Sequence, residues 1–178
     1  MNSALTRLTQ LLPPPATAQP KDWESIEAEL GVGLPADYKE LIDTYGGVYI
    51  DDYLYVLEPK CANRNYDLID AASERAEAYE ELWEFEEKPS ELEEEGSSIT
   101  PWATTDNGEW LFWRASPDVD PDSWTVMVNE ARGEEWEHYG MTCTEFLVAA
   151  LSGDVRSDIL WSRFPQPAHY FSTLGPVD

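Results

Sequence analysis

Residues 31–50 read GVGLPADYKELIDTYGGVYI, and this stretch decides the fold. The GVG triplet precedes Pro35, a residue that the first turn of a helix tolerates. Four apolar side chains then recur at i, i+3, i+4 and i+7, which predicts a helix with one buried face: Tyr38, Leu41, Ile42 and Tyr45. Gly46 and Gly47 end this helix, and a short strand follows from Val48 to Ile50.

Glycines that bracket a helix are also typical of phosphate-binding loops, which is the main alternative for this stretch. Such a loop needs a Lys followed by Ser or Thr at its end, and it follows a strand. Here no strand pattern precedes the triplet, and Lys39 lies inside the predicted helix among Asp37, Glu40 and Asp43. The spacing G-x-G-x-x-G is also absent. We therefore interpret the glycines as helix caps and turns.

Working outward, the patterns predict an α+β fold, in which helices pack on a mostly antiparallel twisted sheet in a single domain. Helices are predicted over 3–12, from Asp22 to Gly31, from Tyr66 to about Glu87, and from a capping box at Thr142–Glu145 to Gly153. Strands are predicted over 53–57, on both sides of Asn107-Gly108, over 124–128 and over 134–139. Asn107-Gly108 favours a type I′ turn. The last 24 residues are rich in aromatics and prolines and are expected to contain one or two short elements whose type the patterns do not assign.

The segment from Trp110 to Trp113 is apolar on both faces, since Trp110 and Phe112 alternate with Leu111 and Trp113. Such a strand is either central in the sheet or presents aromatic side chains to a partner. A second unusual segment is the run from Glu74 to Glu95, with eleven glutamates against one Arg and one Lys. It indicates a solvated helix face, with a mobile loop expected from Pro89 to Gly96.

The net charge is −25, from 36 acidic and 11 basic residues among 178. A field of this sign repels nucleic acids and anionic membranes and attracts basic partners. It is also typical of a solubility surface, including that of salt-adapted proteins. No apolar run reaches bilayer length, the N-terminus lacks a signal-peptide pattern, and two cysteines are too few for a disulfide scaffold. We expect a cytoplasmic protein.

The patterns for catalysis and metal binding are weak. His138 and His169 have no partner motif for hydrolysis, and Cys143 at a helix N-terminus is interpreted as a packing residue. Asp118, Asp120 and Asp122 match the first three ligand positions of a calcium loop, but Ser123 replaces the turn glycine and Asn129 the final glutamate. The alternatives there are a weak calcium site and an acidic hairpin loop. We expect no cofactor and no catalytic residues, although paired carboxylates remain available among the many acids.

Several residues together resemble the SUKH superfamily, which includes a fungal cell-wall-assembly regulator and bacterial immunity proteins of polymorphic toxin systems. The resemblance covers roughly residues 20–153 and is most specific in ELGVGLPADYKELIDTYGG. It is carried by Trp23, Ile26, Glu27, Leu30, Gly31, Leu34, Pro35, Tyr38, Leu41, Tyr45, Gly46, Gly47, Trp102, Asp106-Asn107-Gly108, Trp110–Trp113 and Phe146–Leu151. It implies helices packed on a sheet and a binding role, and it carries no catalytic motif over to this chain.

We therefore divide the chain into an N-terminal helix and Pro-rich linker (1–20), a SUKH-like domain (21–153) with an acidic helical insertion near 66–96, and a C-terminal extension packed on the domain (154–178). The first hypothesis is a monomeric immunity protein that neutralises a basic, nuclease-type toxin as a nucleic-acid mimic. The alternatives are a regulatory or scaffold domain without a toxin partner and, third, an enzyme acting on a basic or metal-bound substrate. The candidate partner-binding residues are Asp51, Asp52, Tyr53, Trp83, Glu84, Glu86, Glu87, Trp113, Asp118, Asp120 and Asp122, with core packing as the alternative for the aromatics.

Overall fold

The computed structural model describes residues 2–16, 20–116 and 118–176. Within them, the helices are α1 (Ser3–Leu11), α2 (Trp23–Leu30), α3 (Ala36–Tyr45), α4 (Leu68–Leu82) and α5 (Cys143–Ser152). The strands are β1 (Val48–Ile50), β2 (Leu54–Val56), β3 (Ser98–Thr105), β4 (Trp110–Ala115), β5 (Thr125–Asn129), β6 (Trp136–Tyr139) and β7 (Phe171–Thr173). Short 3₁₀ turns lie at Arg64–Tyr66, Ser90–Leu92 and Pro121–Ser123.

The strands form one sheet in the order β6-β5-β4-β3-β2-β1-β7, and every neighbouring pair is antiparallel. Helices pack on this open sheet, so the predicted α+β class is confirmed. In the described part of the chain, no helix combines the length and the apolar character that crossing a bilayer requires.

The opening stretch folds as its pattern predicts. Tyr38, Leu41, Ile42 and Tyr45 are all buried, and Pro35 lies at the N-cap of α3. Gly31 ends α2 with φ of 77°, a left-handed conformation that glycine adopts without steric cost. The Thr142–Glu145 capping box is also present at the start of α5. Local sequence signals therefore determine where these helices begin and end.

Helix α4 is shorter than its pattern predicts. Asp67 is the N-cap and accepts hydrogen bonds from the N–H groups of Ile69 and Asp70, so the helix starts at Leu68, two residues later than predicted. The helix ends at Leu82 and not near Glu87. The dense glutamates lie at its C-terminus, where the negative end of the helix dipole disfavours further acidic residues in helical conformation.

Strand β4 is central and covered on both faces. On one face, Trp113 packs edge-on against Tyr38 of α3, with ring centroids 4.8 Å apart, within the main core beneath α1, α3 and α5. On the other face, Phe112 packs against Tyr79 of α4, with centroids 5.4 Å apart. The sequence left two interpretations of this strand, a central position in the sheet or the presentation of aromatic side chains to a partner. The central position is correct for Leu111, Phe112 and Trp113.

Two hairpin turns differ in the way their backbone reverses. Asp51 and Asp52 both have positive φ, 52° and 55°, as the two central residues of a type I′ turn require, and the N–H of Tyr53 donates to Ile50 at 3.0 Å. At the Asn107-Gly108 turn, Gly108 has φ of 92° and its N–H donates to Thr105, while the N–H of Thr105 donates to Glu109. This is a type I turn followed by a glycine bulge, so the type I′ prediction for Asn107-Gly108 is wrong.

The terminal segments contribute to the same core and sheet. Leu5, Leu8 and Leu12 are buried, and the hydroxyl of Tyr45 donates to the Leu12 carbonyl at 2.5 Å. Near the other end, β7 pairs with β1 at the edge of the sheet. This strand has no apolar alternation of its own, which is why the sequence patterns do not predict it.

Candidate partner-binding surface

The C-terminal end of α4 carries aromatic side chains and glutamates around a series of clefts. We call this the α4-end surface, and it consists of Tyr79, Trp83, Glu84, Phe85, Glu86, Glu87, Lys88, Glu134 and Trp136. Clefts of about 540, 540 and 550 Å³ open onto it. They are contiguous because they share walls: Tyr79 lines the first and second, Glu86 the first and third, and Lys88 the second and third.

A packed aromatic cluster holds this surface in place. The ring of Tyr79 lies 5.3 Å from that of Trp83 and 5.6 Å from that of Trp136, between centroids. The Tyr79 hydroxyl donates to Asn129 Oδ1 at 2.5 Å, and burial raises the pKa of Tyr79 to about 12. Helix α4 is thereby fixed to β5 and β6, and Trp83 and Trp136 remain partly exposed.

The α4-end surface carries four glutamates and one lysine. Among the described residues, none of Glu84, Glu86, Glu87 and Glu134 forms an ion pair. The ammonium of Lys88 lies over the Trp83 ring, 5.1 Å from its centroid. In the adjoining first cleft, the guanidinium of Arg75 lies 4.8 Å from the centroid of Trp110. The surface thus presents uncompensated negative charge beside ring faces that attract cations.

Three of the residues predicted to contact a partner are structural instead. Trp113 has no exposed surface, and Tyr53 and Asp51 are each 1% exposed. The Tyr53 hydroxyl donates to Glu109 and accepts from the N–H of Trp161 at 3.0 Å. A contact role for these three side chains is therefore wrong, because a buried side chain offers no area to a partner.

The Asp51 carboxylate binds the C-terminal segment. Its Oδ2 accepts from the N–H of Gln166 at 3.1 Å and faces His169 Nδ1 at 2.9 Å. Its Oδ1 accepts from the N–H of Tyr170 at 2.9 Å. Every residue that it holds lies more than a hundred positions away in sequence, so no local pattern indicates this role.

The remaining predicted acids are wholly or partly exposed, but they lie in three separate places. Asp52 lies at the β1–β2 turn, where the hydroxyl of Tyr170 donates to it. Glu84, Glu86 and Glu87 lie in the turn after α4 and not on the helix. Asp118, Asp120 and Asp122 lie in the β4–β5 connection. No hydrogen bond between described residues joins one of these groups to another.

The β4–β5 connection uses its acids to cap backbone groups. Asp120 Oδ1 accepts from the N–H of Asp122, and Asp122 Oδ1 accepts from the N–H of Ala36 at 2.7 Å, at the start of α3. Among the described residues, no group of three or more His, Cys, Asp and Glu side chains is placed to hold a metal ion. The arrangement therefore supports the acidic-loop alternative for these aspartates.

The two side chains considered for catalysis have structural surroundings. Burial, followed by the proximity of Asp37, raises the pKa of the Cys143 thiol well above its ordinary value, so the nucleophilic thiolate is disfavoured. His138 Nε2 lies 2.7 Å from Thr125 Oγ1 on an edge strand, and burial lowers the pKa of its ring. The Cys143 thiol donates to Asp37 Oδ2 at 3.4 Å but has no exposed surface for a substrate to reach. Among the described residues, no carboxylate forms a hydrogen bond with the His138 ring.

The sequence patterns do not predict two of the aromatic side chains at the α4-end surface. Phe85 is 86% exposed within the glutamate run, and Trp136 lines the adjoining cleft. Phe85 lies off the Tyr79–Trp83 face of the helical pattern, which is a signal that it is not buried.

Elsewhere, Tyr55 stacks between Tyr49 and Tyr66 with centroid distances of 4.2 and 4.1 Å. Antiparallel pairing of β1 with β2 brings Tyr49 beside Tyr55, and Tyr66 joins the stack from the 3₁₀ turn Arg64–Tyr66.

Comparison with known proteins gives one finding. The SUKH_6 family model, described as SMI1-KNR4 cell-wall, matches residues 20–147, which is most of the chain and includes α2 through the first turn of α5. No curated protein and no solved structure matches. The chain therefore belongs to the SMI1-KNR4 family of the SUKH superfamily.

Proposed function

We propose that this protein is an immunity protein, which binds and neutralises a basic toxin domain of the nuclease type by direct contact. Its family is associated with toxin immunity and protein–protein interaction and is generally non-catalytic. The proposal extends that family-level role to a toxin of stated charge. The protein acts as a stoichiometric inhibitor and not as an enzyme.

The observation that carries the proposal is the α4-end surface. Glutamates that form no ion pair with any described residue line the same clefts as the partly exposed rings of Trp83 and Trp136. Interfaces draw most of their binding energy from a few aromatic anchors within a polar rim, and Trp is enriched among these anchors. A nuclease binds phosphates through basic residues, so carboxylates in this arrangement are complementary to its substrate cleft.

The net charge of −25 adds long-range steering to this local complementarity. Opposite charges raise the association rate of proteins, and salt screens this effect over about 8 Å at physiological ionic strength. The association rate with the toxin is therefore expected to fall as salt is added. We expect the free protein to be a cytoplasmic monomer that meets the toxin in that compartment.

The test begins with the genes on either side of the gene of this protein, where we expect one that encodes a toxin with a nuclease domain. That toxin domain and this protein are co-expressed, and cell survival, co-purification and the salt dependence of binding are measured. Protection from killing together with a stoichiometric complex is the expected result. A toxin that kills equally with and without this protein, and that does not co-purify with it, refutes the proposal and supports a regulatory or scaffold role.

Charge-reversal variants locate the contact. Glu84→Lys combined with Glu87→Lys changes the net charge by four at the α4-end surface, and we expect it to abolish protection. Glu24→Lys combined with Asp154→Lys makes the same change in net charge at exposed positions on α2 and after α5. This control is expected to slow association only modestly. Equal losses of protection in the two double variants would show that net charge alone, and not the α4-end surface, determines binding.

A further inference from the structure

Phe85 is the most exposed large hydrophobic side chain among the described residues, at 86%. The next, Tyr170, is 47% exposed, and Val119 is 42% exposed. Isolated apolar side chains at a surface are ordinary, but Phe85 is almost free of contact with its own protein. Its ring therefore contributes little to the fold and remains available to another molecule.

Hydrogen bonds hold the backbone that carries Phe85 in a defined turn. The N–H of Phe85 donates to the Leu82 carbonyl at 3.0 Å, and the N–H of Glu86 donates to the same oxygen at 3.0 Å. Just before them, the N–H of Trp83 donates to Tyr79 at 2.9 Å and extends the last turn of α4. The ring is thus presented from a rigid base, which reduces the entropy lost when it is bound.

An acidic cleft of about 550 Å³ adjoins the Phe85 ring. It is lined by Glu86, Glu87, Glu91, Glu134 and Trp136, with Lys88 and Pro89. The lining therefore carries four carboxylates against one ammonium, and that ammonium lies over the Trp83 ring. A projecting apolar ring beside an acidic cleft is complementary to an apolar pocket with a basic rim.

We propose that Phe85 is the anchor of the interface: its ring enters an apolar pocket on the toxin domain, and a Lys or Arg of the pocket rim enters the cleft beside Glu86 and Glu134. This inference rests on the proposed function and identifies the site through which it acts. A second copy of this chain is a poorer occupant, because two faces of the same negative charge repel each other.

The experiment measures binding of the same toxin domain, catalytically inactivated, to wild-type protein and to single variants. Phe85→Ala is expected to raise the Kd about thirtyfold or more, which is the loss that defines a hot spot. Phe85→Leu retains an apolar side chain and is expected to recover part of the affinity. Val119→Ala, at an exposed apolar position in the β4–β5 connection, is the matched control and is expected to change the Kd less than twofold.

The outcomes separate this inference from the proposed function. If wild type binds and protects while Phe85→Ala binds within threefold of it, the anchor is wrong and the proposed function stands. If wild type does not bind the toxin domain, both are refuted. A concentration-dependent dimer in sedimentation velocity that Phe85→Ala abolishes would show that the occupant is a second copy, and would overturn the inference. Thermal unfolding of each variant verifies that its fold is intact.

Discussion

Asp51 offers a direct test of how the C-terminal segment is held. The side chain is 1% exposed, and its two oxygens face the N–H groups of Gln166 and Tyr170 and the ring of His169. Asp51→Asn preserves the shape of the side chain, and asparagine tolerates the positive φ of 52° at this turn. It replaces one acceptor oxygen by an NH₂ group, which must then face a backbone donor.

The magnitude follows from the bonds that are lost. A hydrogen bond to a charged group contributes about 1.5–3 kcal/mol, and a buried donor left without a partner costs about 1–3 kcal/mol. We therefore expect Asp51→Asn to lower the free energy of unfolding by about 3 kcal/mol. The loss is concentrated in the C-terminal segment, so the amide of Tyr170 should exchange with solvent faster than in the wild type.

The measurements are urea unfolding followed by tryptophan fluorescence, and hydrogen exchange of the Tyr170 amide. Asp52→Asn is the matched control, because Asp52 is exposed, lies in the same turn and also has positive φ, 55°. We expect it to change the free energy of unfolding by less than about 0.5 kcal/mol. If the two variants differ by less than about 1 kcal/mol in free energy of unfolding, and hydrogen exchange of the Tyr170 amide is unchanged, the proposed role of the buried carboxylate is refuted.

Two further predictions concern other buried groups. Burial raises the pKa of Tyr79 to about 12, so its neutral form stabilises the fold below the ordinary tyrosine pKa of about 10, and this contribution is lost as pH rises through 12. Tyr79→Phe should therefore unfold more easily than wild type at pH 7, because Asn129 loses its donor. Between pH 9 and pH 12, however, its free energy of unfolding in urea should fall by about 2–3 kcal/mol less than that of the wild type. Identical pH profiles for the two proteins would contradict this. Asp37 Oδ2 accepts from both the N–H and the hydroxyl of Thr144, a residue with no exposed surface at the start of α5. Asp37→Ala should lower the free energy of unfolding, measured by thermal unfolding, by about 2–3 kcal/mol. The control is Asp70→Ala, which removes an exposed acid from the first turn of α4. If Asp37→Ala is no more destabilising than this control, the link between α3 and α5 contributes nothing to stability.

Local sequence predicts the helices of this protein well because their signals lie within one or two turns of the chain. The stripe on α3, the glycine after α2 and the capping box of α5 all depend on neighbours at i+3 or i+4. In β4 the relevant spacing is i+2, which places Trp110 and Phe112 on one face and Leu111 and Trp113 on the other. The end of α4 is predicted less well, because charge repulsion at the helix terminus competes with periodicity.

The candidate site could be predicted only in part. The glutamates after α4 are visible in the sequence as a run of like charge, and Phe85 is visible as an aromatic that interrupts it. Their grouping with Glu134 and Trp136 depends on the pairing of β6 with β5 at the edge of the sheet. The packing of Trp83 against Trp136, with ring centroids 6.5 Å apart, then joins residues about fifty positions apart, and no local spacing specifies it.

The sequence by itself determined most helix boundaries other than those of α4, the alternation along β4, the α+β class and the resemblance to the SUKH superfamily, because each depends on side chains close together in the chain. Tertiary structure decided which acids and aromatics are available at the surface. Asp51 is buried because residues 166–170 fold back onto it, and Phe85 is exposed because nothing in the described chain packs over it. Burial depends on partners that are distant in sequence, and for that reason the same residue types serve as core at one position and as candidate interface at another.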